Sequence, residues 1–387
     1  MQTTDPTANI SSSAAPSSEG QSPNVAIGIE TSIHHLPASG ARWRRGVVAL
    51  PLLVAGLLVA LVFATAIGSV HISADETTKI LLNSTGLFHF QRTWDAIDET
   101  IIFQLRLPRV LGAALVGTGL AVAGVLFQGL LRNPLADPYL IGTSAGAGLG
   151  ATIAILLPAG LLVLGESQIT LFSFVGAMAA VLLVYWLARV GGRTPVVSLL
   201  LAGVVVTTLM SACQAMLIYL VPDAQLKFRS VYAWLSGGIA VDSWNQVGIA
   251  AILVFLGLAA SFGFSVTLNA LALGEEGAAY LGVNVERQKT LLIIIASLLT
   301  AATVSIAGLV SFVGLVVPHS LRLILGPGHR LLIPASALCG AIFLVLTDML
   351  ARTIIAPAEL PLGVLTSLVG GPFFLYLLRR SSQDYRW

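Results

Sequence analysis

Charge is scarce in this chain. Of its 387 residues only 10% are Asp, Glu, Lys or Arg, against about 25% in an ordinary soluble domain, while 56% are hydrophobic and the mean hydropathy is +0.90. Such a balance excludes a water-soluble fold of this size and marks a polytopic membrane protein. With a net charge of +2 and its basic residues scattered along loops, the chain offers no patch for nucleic acid. Cysteine is nearly missing. Cys213 and Cys339 each lie inside an apolar run with no ligand-like neighbour at metal spacing, so both are read as buried thiols and no bound metal or cofactor is expected. Lysine is as rare. None of Lys79, Lys227 and Lys289 follows a glycine, so no G-x-x-x-x-G-K-[ST] loop exists to cradle nucleotide phosphates, and any use of ATP must come from a partner. Nor does an acidic or histidine relay cross the apolar segments, as a proton-coupled pump tends to show; Asp348 is the one buried-looking carboxylate.

What is present is a series of apolar runs. Residues 1 to 41, rich in Ser, Thr, Ala and Pro, have no hydrophobic period and are expected to form a disordered cytoplasmic tail. After RWRR at 42 to 45 come runs of spanning length at 47–69, 108–131, 141–164, 169–190, 196–220, 244–264, 290–310, 331–351 and 360–378, with a shorter one at 311–325. Counting the short run gives ten helices with both ends on one side of the membrane. With the N-terminus inside, the inner segments hold Arg42, Arg44, Arg45, Arg132, Arg189, Arg193, Arg287, Lys289, Arg322, Arg330, Arg379, Arg380 and Arg386. The outer ones hold only Lys79, Arg92, Arg106, Arg109, Lys227, Arg229 and Arg352. The excess of inner cations supports cytoplasmic termini in a plasma membrane. Small residues repeat in GAALVGTGLAVAG (112–124) and GTSAGAG (142–148), a pattern that lets helices pack closely in lipid. The expected fold is all-α, a tight bundle of about ten transmembrane helices with a cytoplasmic loop near 270–289.

Several residues invite a role. GTSAG, Gly142 to Gly146, matches the G-x-S-x-G hydrolase pattern, but a nucleophile elbow needs a strand, a strained turn and a helix, and Ser144 opens an apolar run. Thr207, Ser211 and Gln214 fall on one helix face, where they either line a pathway or bond to neighbouring helices. Asp348 and Arg352, four apart, are placed for an ion pair. In LGEEGAAYLGVNVERQK (273–289), EEGAAYLG suits a two-turn helix with acids at its N-terminus and Gly282 at its stop, either a linker or a knob for a cytoplasmic partner.

The stretch RLPRVLGAALVGTGLAVAGVLFQGLLRNPLADPYLIGTSAGAG resembles the FecCD-type permease family of ABC importers for iron complexes and cobalamin. LGEEGAAYLG, GLVSFVGLVVPHSLRLILGPGHR and DMLARTIIAPAELPLGVLTSLVGGPFF agree with it in order, so the likeness runs from about 42 to the end. The resemblance implies a homodimer of permease copies, two cytoplasmic ATPase subunits that bind and hydrolyse ATP with Mg, and an extracytoplasmic substrate-binding protein. It implies that Arg106, Arg109 and Arg352 face outward to acidic residues of that carrier, and that Gly274, Glu275, Ala278, Leu281 and Gly282 form a coupling helix seated in the ATPase. Asn133 and Leu135 match one inner gate. Val196 and Val197 fall at the other, where the family can show small hydroxyl residues, so a hydrophobic seal is predicted. Without the resemblance, a stand-alone ion-coupled carrier and an intramembrane serine hydrolase are the other readings of the residues.

Overall fold

A backbone crossing lipid must satisfy its own polar groups, and helices do so within one segment. The computed structural model describes residues 39–68, 72–86, 88–157, 168–221, 224–241 and 243–381. Helices account for nearly all of the regular structure there; a single bridge between Val190 and Arg193 is the exception among the described residues. The chain is an all-α polytopic membrane protein. In order, the helices are α1 (Ser39–Ala66), α2 (Ala74–Ser84), α3 (Ala96–Thr100), α4 (Leu107–Leu130), α5 (Thr143–Leu156), α6 (Gln168–Ala188), α7 (Val196–Leu220) and α8 (Ala224–Leu235). They continue as α9 (Trp244–Gly263), α10 (Ser265–Leu271), α11 (Glu275–Tyr280), α12 (Val285–Ala307), α13 (Val313–Leu325), α14 (His329–Thr353) and α15 (Leu362–Ser381). A π-helical turn, Ile101–Arg106, joins α3 to α4, and a 3-10 turn, Pro138–Ile141, leads into α5.

Seven helices among the described residues are long and apolar enough to span, and Thr143–Leu156, Val313–Leu325 and Leu362–Tyr376 are shorter apolar helices. Of the about ten spans expected, nine of them long, seven are of spanning length among the described residues. α5 and α13 are short because the chain reaches them through irregular backbone packed in the bundle. Tyr139, in the 3-10 turn, bonds through its hydroxyl to the Val310 carbonyl (3.0 Å) in the break between α12 and α13. The extended stretch after α8 bonds to both neighbours of that region, Gly238 N–H to Ala307 O (2.9 Å) and Leu362 N–H to Gly237 O (2.9 Å). Non-helical backbone at such depth is tolerated where protein buries it. Of the expected third span, residues 158–164 lie outside the described residues, as do residues 1–38 of the expected tail; α1 begins at Ser39.

α4 is the central helix, buried along most of its length and packed against α9, α12, α13 and α14. Glycine sets how close it comes. A Cβ at Gly117 would overlap the carbonyl of Gly340 on α14, and one at Gly340 would overlap the carbonyl of Gly117. Gly146 of α5 and Gly176 of α6 meet in the same reciprocal way. The two small-residue runs of the sequence thus supply one side of each contact. α1 and α7, by contrast, bury few of their side chains.

Candidate functional site

The N-terminal end of α4 gathers the three arginines. Arg106, at the end of the π turn, is only 6% exposed and donates from Nη1 to the carbonyl oxygens of Thr65 (3.0 Å) and Ala66 (2.7 Å). Arg352, in the last turn of α14, donates to Ala64 O (3.1 Å) and Ile67 O (3.4 Å). These carbonyls belong to the C-terminal end of α1, where a helix leaves acceptors unpaired and favours cations. Gly68 makes room for the contact, since a Cβ there would lie 2.8 Å from Arg106 Nη2.

Asp348 holds this cluster together. Its carboxylate, on a residue 1% exposed, accepts from Arg109 Nε and Nη2 (3.1 Å each) through one oxygen and from Arg352 Nε (2.9 Å) through the other. The pair expected from the i,i+4 spacing is present, and Arg109 joins it from 239 residues away. Arg109 also forms a bidentate pair with Glu359, Nη1 to Oε1 at 3.0 Å and Nη2 to Oε2 at 2.9 Å. Glu359 is carried there by the loop after α14, which folds back through Leu360 N–H to Ala351 O (3.0 Å). A cavity of about 280 Å³ opens among Gly68, Arg106, Arg109, Arg352 and Glu359. Two guanidinium groups fully compensate the buried carboxylate, while Arg109 and Glu359 stay within reach of an incoming charged group.

The second cluster lies at the other end of α4, about 36 Å away at 1.5 Å per residue. Gly274, with φ of +100°, turns the chain into α11, and a Cβ there would lie 3.5 Å from Arg132, just beyond α4. α11 buries Ala278 and leaves Leu281 exposed; Gly282, with φ of +81°, ends it. Tyr280, which the sequence did not single out, is 91% exposed, and Leu273, just before Gly274, is exposed as well. Glu275 points back into the protein and pairs with Lys289 at 2.8 Å. Asn133 shapes the adjoining loop, its Oδ1 accepting the Leu135 N–H (2.9 Å); Leu135 is half-buried. Val196 and Val197 open α7, and Val197 is 68% exposed.

Between the ends, the polar face of α7 divides. Gln214 donates to Thr152 Oγ1 of α5 (2.9 Å), Thr207 is half-buried near Gly142, and Ser211 is exposed. A second surface, with no signal in the sequence, is a cavity of about 430 Å³ lined by Ser236, Ser311, Ser367, Gly363 and leucines, where the end of α8 and the start of α15 meet the break between α12 and α13. Asp137 caps the 3-10 turn by accepting the Tyr139 N–H (2.8 Å), and burial pushes its carboxyl up to about 6 against that bond. Ser144 stands in the first turn of α5 after the 3-10 turn, with no strand before it. Among the described residues no group of three His, Cys, Asp or Glu side chains is placed to hold a metal ion.

The chain is similar to known proteins over most of its length. Residues 38–380 match the FecCD transport family. The chain is 44% identical over 281 residues, 73% of its length and 74% of the relative's, to the cobalamin import system permease protein of Halobacterium salinarum. It is 39% identical over 339 residues, 86% of its length and 97% of the relative's, to the hemin transport system permease protein of Yersinia pestis. Among solved structures it is similar to a metal-chelate type ABC transporter in an inward-facing conformation, with 31% identity and a TM-score of 0.73 over 86% of this chain and 98% of that one.

Proposed function

This chain belongs to the FecCD transport family, and on that premise we propose that it moves an iron complex, siderophore or haem, or cobalamin inward across the plasma membrane. It is the permease subunit of an ABC importer, and a partner ATPase hydrolyses the ATP. The ion-coupled carrier and the serine hydrolase give way to this family membership. One observation supports the mechanism most directly: charged residues at one end of α4 border a cavity that a protein carboxylate could enter, and α11 at the other end presents Leu273, Tyr280 and Leu281 outward.

In the proposed arrangement the arginine end faces outside, both termini are cytoplasmic, and the seven long and three shorter apolar helices make ten passes. Two copies pair around a central pathway. Arg109, with Arg106 and Arg352 behind it, receives acidic residues of the loaded carrier, where charge complementarity sets orientation and encounter rate. Glu275, Ala278, Leu281, Gly274 and Gly282 form the helix that seats in the ATPase. Asn133 and Leu135 flank one inner constriction, and Val196 and Val197 close the other. Thr207, Ser211 and Gln214 border the pathway or brace it.

Gentle detergent extraction from the native membrane, followed by mass spectrometry of what stays bound, is the test. An ATPase and a binding protein should co-purify. That binding protein, titrated with a ferric siderophore, haemin and cobalamin, would name the substrate. A chain that comes out alone even after crosslinking would refute the importer assembly. Arg109→Glu should abolish stimulation of ATP hydrolysis by the loaded carrier, and full stimulation in that variant would remove the docking role.

A further inference from the structure

Lys289 is only 4% exposed, yet it is one of three lysines in the chain. Its Nζ lies 2.8 Å from Glu275 Oε1, 3.0 Å from Glu286 Oε1 and 3.5 Å from the Thr194 carbonyl. The other oxygen of Glu286 accepts the Thr194 N–H at 2.9 Å. Three elements therefore converge on one ammonium group: the first turn of α11, the first two turns of α12, and the residue that precedes Pro195 and Val196 at the start of α7.

The connection into α7 is short and stiff. Val190 and Arg193 exchange both backbone hydrogen bonds (2.9 and 3.1 Å) around Gly191 and Gly192, whose φ values are +58° and +79°. Thr194, itself buried, follows at once. The Tyr185 hydroxyl of α6 and the Thr290 hydroxyl of α12 are 2.9 Å apart, a further tie from α12 to the helix that precedes this connection. An ammonium buried among half-exposed carboxylates is a poor device for stability alone, because a well-packed apolar side chain often serves as well or better. What it supplies is direction, since an ammonium with three donors binds groups from separate elements in one geometry.

We propose that Lys289 is a positioning residue that transmits motion from α11 to the seal at Val196 and Val197, through Glu275, Lys289, Glu286 and the Thr194 backbone in turn. The proposal rests on reading α11 as the ATPase contact and the two valines as a gate. A push on Glu275 moves the ammonium; Glu286 and Thr194 follow, and with them the first turn of α7.

The test uses the full permease–ATPase assembly with Cys213→Ala, Cys339→Ala and a reporter Val197→Cys, labelled by a membrane-impermeant maleimide. With Lys289 intact, the labelling rate should differ between the nucleotide-free and vanadate-trapped states. In Lys289→Met that difference should be lost while ATP is still hydrolysed, and Lys289→Arg should restore it. Melting temperature is recorded alongside, because a merely structural role would move it without touching the labelling response. A wild-type-sized response in Lys289→Met overturns the relay. If Lys289→Met does not assemble, Glu275→Gln cuts one arm of the network, with the same loss expected and the same response overturning it. The underlying readings fail separately. Leu281→Asp that leaves ATPase co-purification intact removes α11 as the contact, and no response with Lys289 intact removes the gate and the relay with it.

Discussion

Arg106 and Arg109 are three residues apart and meet different surroundings. Arg106 turns inward onto the last carbonyls of α1, whereas Arg109 shares Asp348 and Glu359 at the edge of the cavity. Arg106→Ala leaves buried acceptors without partners, at a cost of about 1–3 kcal/mol. It should lower the melting temperature of the detergent-solubilised protein more than Glu359→Gln, which keeps a neutral acceptor near Arg109; equal shifts would show that the inward contact contributes little. Asp137 predicts a pH dependence. Its folded-state value, about 6, stands above the ordinary value of 3.8, so the folded protein holds that proton more tightly than the unfolded chain. The group therefore favours folding most at low pH, and this contribution is lost as pH rises through about 4 to 6. Asp137→Asn, which keeps the acceptor for Tyr139, should remove that decline, so the stability difference between the two proteins should change across this window. A constant difference would rule out Asp137 as its source. Of these residues, only the Asp348–Arg352 pair could be read locally, from four-residue spacing. Arg109 reaches Asp348 across the whole chain, and Lys289 in the sequence is one inner-loop cation among many.

At the level of elements, glycine decides which helices touch. Gly117→Val would drive a side chain into the Gly340 backbone, and overpacking of that kind costs about 1–3 kcal/mol. Gly248, in α9, has nothing within 4 Å of where a Cβ would sit. Gly248→Ala should be neutral or gain up to about 1 kcal/mol from helix propensity. Thermal melting of the two variants should therefore shift in different degree or sign, and equal losses would mean that close approach is not what Gly117 provides. The small-residue spacing was visible in the sequence, since a helix face repeats at that interval, but its partners on α6 and α14 were not. The long spans were legible for a similar reason: apolar length alone marks them. The short run at 311–325 matches α13 within two residues, whereas the run at 290–310 overran α12 by three, because hydropathy does not distinguish a buried helix from the buried non-helical backbone that follows Ala307.

For the whole molecule, the layout is two-ended, and the predictions follow the direction of transport. Replacing Val196 and Val197 by Ser should raise the leak of haemin or cobalamin from proteoliposomes that lack ATP, because a hydrophobic constriction would become one that holds water. An unchanged leak would count against a seal at this position. Family and function could be read from the sequence because the motifs at both ends are contiguous; the carrier's cargo could not, because the resemblance spans iron complexes and cobalamin alike. The arginine cluster has one more consequence. Asp348 binds α4 to α14, and Arg106 and Arg352 bind both to the tip of α1. Parting α4 from α14 would take Arg109 from a buried carboxylate, and drawing α1 away would strip its last carbonyls of their guanidinium donors, so the three tips are held to swing together. A hinge that widens this end then lies among the helices outside the clamp, α5, α6 and α7 included, and amide exchange during turnover should quicken there while the tips of α1, α4 and α14 stay protected.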